Sequence, residues 1–375
     1  MSVEKKHMKI LYSIPTLDIG GAELLLLEIC KAIKKTESSL ELHVIVILGH
    51  GVLIDNFKSA GVSVHLLKNQ KQSFILRFWD VFWTIKKLKP DVLHSHLYAS
   101  DKFSLLAAFL LGIKKRLSTL HDMQARLSLS EKFAVYCVRL FANPAVAIAN
   151  SVKDFWINTR RLHPNRVTMI YNAPYNVSEK TSAPKKYDAQ KNSWHIISVG
   201  RLIESKGFIY LIRAMKLIIE KNPNTTLSIY GTDPLEYKKV LENEIEKLQL
   251  KKHISIVTDV HDLRRAYLDA DLYVNTSLSE GFGMSLVEAM YAGLPCIVSD
   301  ITAFREIITT NIFDTFVQPK DSDDLAAKTI TLLANPPLLE QYSGMLQERA
   351  KHFNIESTAK KYTNLYFDYL TIGKI

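Results

Sequence analysis

Two glutamates flank a glycine-rich turn in the segment SEGFGMSLVEAMYAGLPCIVSD, residues 279–300. Glu280 precedes Gly281 and Gly283, and Glu288 follows on a helix predicted to begin near Met284. Glycines at a helix start expose backbone N–H groups that bind anions. Carboxylates beside such a site would repel a phosphate unless they bind hydroxyl groups, as in ribose or sugar recognition. The segment therefore predicts a nucleotide-sugar site. The alternative is a capped amphipathic helix with helix-favouring glutamates.

Two cations follow the predicted strand that opens the second half of the chain, in SVGRLIESKG at 198–207. Arg201 comes directly after Gly200, and Lys206 lies near the start of the next helix. Positive side chains at the carboxyl end of a strand, beside a helix N-terminus, suit a diphosphate. A solvated loop is the alternative.

Another glycine-rich loop, PTLDIGGAE, follows the first predicted strand and puts Gly20 and Gly21 directly before a helix. Paired glycines there allow backbone N–H groups to approach an anion. The loop lacks the GxGxxG spacing of dinucleotide-binding dehydrogenases. It is consistent with an anion site or with a plain tight turn.

The elements that position these residues alternate between strands and helices along the chain. Many of the strands are apolar throughout, which favours parallel sheets covered on both faces. The alternation stops at 173–193, a polar stretch with no apolar period, and then restarts. We predict an α/β protein of two Rossmann-like doubly wound domains facing across a cleft, with a helical C-terminal tail. The predicted boundaries are 1–172, a linker at 173–193, 194–355, and a helix at 356–375 that packs back on the first domain.

Composition and charge narrow the class of protein further. The 375 residues include only three Cys, with no CxxC pair, which excludes a disulfide scaffold and a Cys-based zinc site and suits the cytoplasm. Residues 1–190 carry 27 Lys and Arg against 15 Asp and Glu, whereas residues 191–375 carry 21 against 23. The first half is therefore strongly basic and the second nearly neutral. No secretory pattern opens the chain, and the run FSLLAAFLLGI at 103–113 is too short to cross a bilayer about 30 Å thick.

EGFGMSLVEAM followed by AGLPCIVSD, with its E-x7-E spacing, resembles the retaining glycosyltransferases of family four, which have the GT-B fold. The segments VGRL…KG, GGAE, DVLHSH and YNAPY fit the same family in the same order, so that the resemblance covers nearly the whole chain. It implies transfer of a sugar from a nucleoside diphosphate, with UDP as the default, to a saccharide or lipid-linked acceptor. Retention at the anomeric carbon and synthesis of a cell-surface polysaccharide or glycolipid are part of that expectation.

The resemblance also implies roles for individual residues. Arg201 and Lys206 would hold the diphosphate, Glu288 the ribose, and Glu280 the donor sugar. His121, in STLHD, matches the active-site histidine of the family and would position substrate, although a structural core histidine is the alternative. The remaining donor contacts would come from Gly20, Gly21, Tyr230, Gly231, Thr258, Asp259, Val260, Gly281, Phe282, Gly283, Met284, Ser285 and Leu286, the amides of Phe282 to Leu286 among them. The chain departs from the family after Gly231 and at Thr258-Asp259, where further glycines are usual. These departures leave the identity of the nucleotide base open.

Two sequence patterns suggest metal binding but have simpler explanations. Asp269-Ala270-Asp271 resembles a DxD motif, but it lies at a predicted helix end that enters a strand. His94 and His96 share a strand face because side chains alternate with a period of two, and no third ligand lies nearby in sequence. We expect no metal and no other cofactor.

The segment FILRFWDVFWTIKKLK at 74–89 combines aromatic residues at helical spacing with Lys86, Lys87 and Lys89. A basic helix with aromatic flanks can lie in a membrane interface, and Lys114-Lys115-Arg116 would add a second contact. Burial of an ordinary amphipathic helix on the sheet is the alternative. The expected location is the cytoplasm, with peripheral contact to its anionic membrane face. Nucleic acid is not an expected partner, because no known binding module is present.

Two other functions remain open from the sequence. A nucleotide-sugar epimerase on a similar two-lobed fold would change the donor sugar without an acceptor. A non-catalytic subunit of a glycosyltransferase assembly would bind nucleotide without turnover, but the complete set of Arg201, Lys206, Glu280 and Glu288 argues against it.

Overall fold

The computed structural model describes residues 7–67, 73–121, 123–124, 126–174, 185–188, 190–258, 260, 262–309 and 314–368. The predicted Asp259 and most of the predicted linker lie outside these ranges. The chain divides into two compact units. The first comprises Met1–Tyr175 together with Asn354–Ile375, and the second comprises Asn176–Phe353.

The first unit is built on a parallel sheet, which has seven strands in the described part of the chain. Its strands are β1 (Met8–Ile14), β2 (Leu40–Val46), β3 (Ser63–Leu66), β4 (Val92–His96), β5 (Lys115–Leu120), β6 (Ala145–Ala147) and β7 (Val167–Met169). Its helices are α1 (Gly21–Thr36), α2 (Ile54–Ser59), α3 (Phe74–Leu88), α4 (Tyr98–Leu110), α5 (Leu129–Phe141) and α6 (Asn150–Asn158). The strand order is β3-β2-β1-β4-β5-β6-β7. Strands β1, β2 and β4 are almost wholly buried, as expected for parallel strands covered on both faces.

The second unit repeats this architecture on a parallel sheet of six described strands. Its strands are β8 (Trp194–Val199), β9 (Thr225–Tyr230), β10 (Ile254–Val257), β11 (Leu272–Asn275), β12 (Cys296–Ser299) and β13 (Phe316–Val317). Its helices are α7 (Phe208–Lys221), α8 (Lys238–Lys247), α9 (Arg264–Asp269), α10 (Met284–Tyr291), α11 (Thr302–Ile307), α12 (Ser322–Leu333) and α13 (Pro336–Ala350). The strand order is β10-β9-β8-β11-β12-β13. Two doubly wound α/β sheets were predicted from the sequence, and the structure confirms them.

The last described helix, α14 (Ile355–Asp368), belongs to the first unit. It packs against α1, and Ala359, Tyr362 and Tyr366 are buried in the core of that unit. The chain therefore begins and ends in the same unit. Within the described ranges, no helix combines the length and the apolar character that spanning a bilayer requires.

A buried chain of hydrogen bonds joins α14 to the sheet. The Tyr366 hydroxyl donates to the Tyr12 hydroxyl at 3.1 Å and lies 2.8 Å from Nδ1 of His94. Because Tyr366 has one proton to give, His94 Nδ1 is the donor in the second bond. Nε2 of His94 then accepts from the Thr119 hydroxyl at 2.7 Å. This chain satisfies polar groups that would otherwise be costly to bury.

Both sheets have a topological switch point, where successive strands lie on opposite sides of a central strand. In the first sheet it lies between β1 and β4, and in the second between β8 and β11. Loops at the carboxyl ends of strands diverge there and leave a crevice, which is the usual ligand site of doubly wound sheets.

We expect Tyr366→Phe to lower the free energy of unfolding by about 1–3 kcal/mol, because it leaves the His94 Nδ1–H buried without an acceptor. Urea unfolding would measure the change. Tyr136→Phe, which alters an exposed tyrosine on α5, is the control and should stay within about 0.5 kcal/mol of the native protein. Equal stability of the Tyr366 and Tyr136 variants would show that the buried hydrogen bonds of Tyr366 do not stabilise the protein.

Candidate functional site

The switch point of the second sheet brings together the loops after β8 and β11. These strands are neighbours in the sheet, so the loop with Arg201 and Lys206 lies beside the loop with Glu280. Gly207 is required at their junction, because it has a φ of 65° and a side chain there would collide with the Thr276 carbonyl. The Leu278 N–H also donates to the Ser205 carbonyl at 2.8 Å. The two loops are thus held together by their backbones.

Lys206 and Glu280 form an ion pair at the centre of this loop pair. Their side chains are only 16% and 13% exposed. The Ser277 hydroxyl donates to the same oxygen of Glu280 at 2.8 Å, which fixes the carboxylate. Arg201, by contrast, is exposed just beyond the end of β8. The two predicted diphosphate ligands therefore differ, since one is engaged by a carboxylate and the other projects into solvent.

The predicted glycine-rich turn leads into α10, which begins at Met284 as the sequence indicated. Gly283 has a φ of 105°, and a side chain there would lie 2.8 Å from the Phe304 ring. The Phe282 ring is buried against Phe353, so only its backbone is available to a ligand. The turn therefore requires the small residue that the sequence supplies.

The amides of this turn are not equivalent. The first-turn amides of Met284 and Ser285 have no acceptor within a helix. The Leu286 N–H, expected to touch a ligand, instead donates to the Gly283 carbonyl at 3.1 Å. The helical hydrogen-bond pattern has therefore already begun at Leu286, and the contact of this amide with a ligand stays a prediction.

Glu288 lies on α10 and is 5% exposed. The Tyr267 hydroxyl donates to its Oε2 at 2.9 Å, whereas Oε1 is buried with no hydrogen-bond partner in the described part of the chain. Burial raises the pKa of Glu288 to about 7, and the hydrogen bond from Tyr267 opposes that shift. A buried acceptor without a donor is costly, and a hydroxyl group that reached Oε1 would satisfy it.

Tyr267 was not found from the sequence. It lies on the short helix α9, far from Glu288 along the chain, and a tyrosine there reads as an ordinary core residue. The same is true of Tyr273, whose hydroxyl donates to Ser285 Oγ at 2.8 Å.

The residues predicted to surround a base lie at the ends of β9 and β10. Tyr230 ends β9, Gly231 follows it, and Thr258 follows β10. A side chain on Gly231 would collide with the Gly200 carbonyl, so the ends of β8 and β9 approach closely. Val260 is 39% exposed nearby in sequence, and Asp259 lies outside the described residues.

In the first unit, Gly20 and Gly21 begin α1 beside the switch point of that sheet. The Glu23 carboxylate occupies the space that a side chain on Gly20 would need. For Gly21, no atom of the described residues lies within 4 Å of the position that a Cβ atom would take. Of the two glycines, Gly21 is the one with room for a ligand.

His121 follows β5 at the carboxyl edge of the first sheet. Its Nε2 lies 3.1 Å from Nδ1 of His96, the last residue of β4. His121 also borders a small cavity with Tyr98, Asp101 and Trp156. Burial lowers the pKa of His121 to about 4, so the ring is neutral at pH 7. His96 and His121 lie far apart in the sequence, and their contact was not predicted from it.

The DxD-like motif has structural contacts. Asp271 accepts the His195 backbone N–H at 2.8 Å and pairs with Lys191 at 3.2 Å. Among the described residues, no cluster of three or more His, Cys, Asp or Glu side chains could hold a metal ion. The expectation that no metal is needed stays a prediction.

Comparison with known proteins gives one family model on each half of the chain. Glycosyltransferase Family 4 matches residues 19–173, and Glycosyl transferases group 1 matches residues 179–351. Together they span nearly the whole chain.

Two curated relatives match over most of their length. UDP-Gal:alpha-D-GlcNAc-diphosphoundecaprenol alpha-1,3-galactosyltransferase of Escherichia coli is 26% identical over 324 residues, which are 82% of this chain and 81% of that protein. The capsular polysaccharide biosynthesis glycosyltransferase CapH of Staphylococcus aureus is 24% identical over 309 residues, which are 80% and 83% of the two chains. Among solved structures, Anabaena HepE in complex with UDP and glucose has a TM-score of 0.80 at 19% identity and covers 98% of this chain and 100% of its own. This likeness shows the fold, which is GT-B.

We expect Glu288→Gln to change how stability depends on pH. The folded-state pKa of Glu288, about 7, lies above the ordinary value of 4.5. The folded protein therefore binds the extra proton more tightly, and this contribution to stability is lost as pH rises towards 7 and above. From pH 5 to pH 8, native protein should lose about 2 kcal/mol more unfolding free energy than the variant.

Urea unfolding at several pH values would measure this difference. Glu242→Gln, which alters an exposed glutamate on α8, is the matched control and should follow the native protein. Identical pH dependence of native protein and Glu288→Gln would contradict the raised pKa.

Proposed function

Because the chain belongs to the family four glycosyltransferases, we propose that it transfers a hexosyl group from a UDP-sugar to a saccharide or lipid-linked saccharide. The transfer proceeds with retention of anomeric configuration, in synthesis of a cell-surface polysaccharide or glycolipid. The observation that carries the proposal is the Lys206–Glu280 pair held beside the start of α10 at the switch point of the second sheet.

The contacts in the second unit suit the parts of a nucleotide sugar. Arg201, Lys206 and the amides at the start of α10 offer positive charge to a diphosphate. The unpartnered Oε1 of Glu288 accepts a ribose hydroxyl. UDP is the proposed nucleotide, which the UDP bound to HepE and the UDP-Gal in the name of the Escherichia coli relative both support.

The charges of the site favour departure of the diphosphate. Negative charge on that leaving group grows in the transition state, and fixed cations and amides stabilise it. Glu280 is held by Lys206 and Ser277, which supports a role in binding sugar hydroxyls rather than in attacking the anomeric carbon. We propose that the acceptor hydroxyl attacks the anomeric carbon on the face that the diphosphate leaves. The bond from that carbon to the diphosphate breaks, and the departing phosphate oxygen takes the hydroxyl proton, without a bound metal. We also propose that His121 and Gly21, which lie in the first unit, contact substrate.

We expect Glu280→Gln to lower turnover about 10²-fold to 10³-fold, because one transition-state contact is lost. UDP binding should be unchanged or tighter, since Lys206 is released from its carboxylate partner. Calorimetry with UDP, and transfer assays with UDP-, GDP- and ADP-sugars in EDTA, would measure both effects.

Glu242→Gln serves again as the control and should behave as native protein does. Equal turnover in native protein and Glu280→Gln would remove Glu280 from the site. Formation of an epimerised nucleotide sugar without acceptor would favour an epimerase, and nucleotide binding without turnover would favour a non-catalytic subunit.

We also propose that the enzyme acts as a peripheral protein on the cytoplasmic face of the membrane, through an apolar surface on its first unit. Helices α3, α4 and α5 pack side by side. They expose eleven large apolar side chains, which we call the apolar face: Phe74, Ile75, Leu76, Trp79, Trp83, Phe109, Leu110, Leu129, Phe133, Tyr136 and Leu140. An apolar surface of this extent is unusual for water-exposed helices.

Cations accompany the apolar face and suit an anionic lipid surface. Exposed lysines and arginines on or next to the three helices are Lys86, Lys87, Lys89, Lys114, Lys132 and Arg139. Each adds about 1 kcal/mol of attraction near such a surface. Lys115 and Arg116, expected from the sequence to contribute, instead donate to the carbonyls of Tyr366 and Phe141. The contribution of α5 to the apolar face was not predicted from the sequence, because its sequence is that of an ordinary amphipathic helix.

Native protein should bind vesicles that contain phosphatidylglycerol and lose binding as salt rises, because its cations are screened. The double variants Trp79→Ser with Trp83→Ser, and Leu129→Ser with Leu140→Ser, should each bind about 10-fold more weakly. Leu235→Ser, which alters an apolar residue that is 73% exposed in the second unit, is the control. Vesicle sedimentation would measure the partition. Unchanged binding by both double variants would exclude the apolar face as the contact.

A further inference from the structure

His96 is a buried histidine to which the proposed reaction assigns no role. It ends β4, is 2% exposed, and pairs in register with Thr119 of β5. Its ring centroid lies 5.4 Å from that of His121 and 4.4 Å from that of His94. The three rings therefore form a contiguous group at the carboxyl edge of the first sheet.

Burial keeps all three rings neutral. It lowers the pKa of His94 to about 3 and of His121 to about 4, and it lowers the pKa of His96 well below its ordinary value. A neutral imidazole carries one N–H donor and one bare acceptor nitrogen. The contact between His96 Nδ1 and His121 Nε2, at 3.1 Å, can therefore have only one of two directions.

The other nitrogen of His96 decides between them. Nε2 of His96 is buried and has no hydrogen-bond partner in the ranges that the structure describes. If His121 donated to His96, this Nε2 would carry a proton with no acceptor. If His96 donates, the same nitrogen is a bare acceptor. Buried donors left without a partner are rarer than under-satisfied acceptors. The favoured direction is from His96 Nδ1–H to His121 Nε2.

We propose that His96 is a positioning residue that holds His121 with its proton on Nδ1. His121 then presents an N–H donor to a hydroxyl oxygen of the substrate, instead of an acceptor to a hydroxyl proton. This inference rests on the proposed function for the identity of the substrate, but the state of the His121 ring does not depend on it. This fixed direction selects between substrates, because the Nδ1–H of His121 binds only ligands that place an acceptor oxygen beside it.

The backbone next to His96 supports a constrained arrangement. Leu97 has a φ of 69° and a ψ of 149°, in a region that residues other than glycine rarely adopt. Leu97 borders the same cavity as His121. Such strain persists only where the surroundings fix the chain, and it is concentrated at functional sites.

The test compares His96→Asn with His96→Gln. The asparagine amide nitrogen is as many bonds from Cβ as Nδ1 of histidine is, so it can donate to His121. The glutamine amide matches Nε2 instead and cannot make that contact in the same place. We expect His96→Asn to keep kcat within about threefold of native, and His96→Gln to lower kcat about 10-fold to 100-fold. Both should bind UDP as native protein does, because the side chains proposed to bind the nucleotide, Arg201, Lys206 and Glu288, lie in the second unit.

A spectroscopic measurement reads the ring directly. Protein labelled with 15N-histidine should show His121 protonated on Nδ1 in the native protein and in His96→Asn, and a mixture of tautomers in His96→Gln. His121→Gln identifies the resonances. This result stands even if the native protein transfers no sugar, so failure of the proposed function and failure of this inference are distinguishable.

Three results would overturn the inference. They are protonation of His121 on Nε2 in native protein, a mixture of His121 tautomers in native protein, or a kcat of His96→Asn no higher than that of His96→Gln. If the melting temperature falls equally in both variants while His96→Asn keeps the higher kcat, positioning is separated from a merely structural role and the inference is supported.

Discussion

Parallel pairing of the strands is the constraint on which the rest of the molecule depends. It sends the carboxyl end of each strand in a sheet to one edge, and the loops that follow must meet there. In the second unit this brings the loop after β8 against the loop after β11, although many residues separate them in sequence. In the first unit it brings the end of β4 beside the end of β5, and with them His96 and His121. The chemistry of each unit is therefore located by sheet topology before any side chain is considered.

The polar groups at these edges are held by one another. Lys206 is bound to Glu280, Glu288 to Tyr267, and His121 to His96. Each pair places one predicted functional group against a partner that fixes its direction. In the pairs of Glu288 and His96, one further polar atom stays buried without a described partner. Such atoms cost stability in the free protein, and at Glu288 the proposed ribose hydroxyl would recover that free energy.

The fold was largely predictable from sequence because its signals are local. The alternation of strands and helices along the chain predicted both parallel sheets, and the turn at Gly283 was visible as a glycine pattern. The partners of the site were not predictable, because nothing local marks them. Tyr267 reads as a core aromatic, and the link between His96 and His121 exists only through the pairing of β4 with β5. The hydrogen bond from Lys115 to a carbonyl of α14 is likewise a tertiary contact, which the basic cluster in the sequence does not reveal.

The return of α14 to the first unit has a consequence for how the chain folds in the cell. Synthesis proceeds from the N-terminus, so Tyr12 and His94 leave the ribosome long before Tyr366 does. Until then the first sheet lacks the helix that covers α1 and closes the hydrogen-bond chain through His94. The second unit is contiguous in sequence and has all its strands before α14 is made. The first unit to be translated is therefore the last to be completed. If synthesis stops short of residue 355, the product has a complete sheet in its second unit but a first unit without α14.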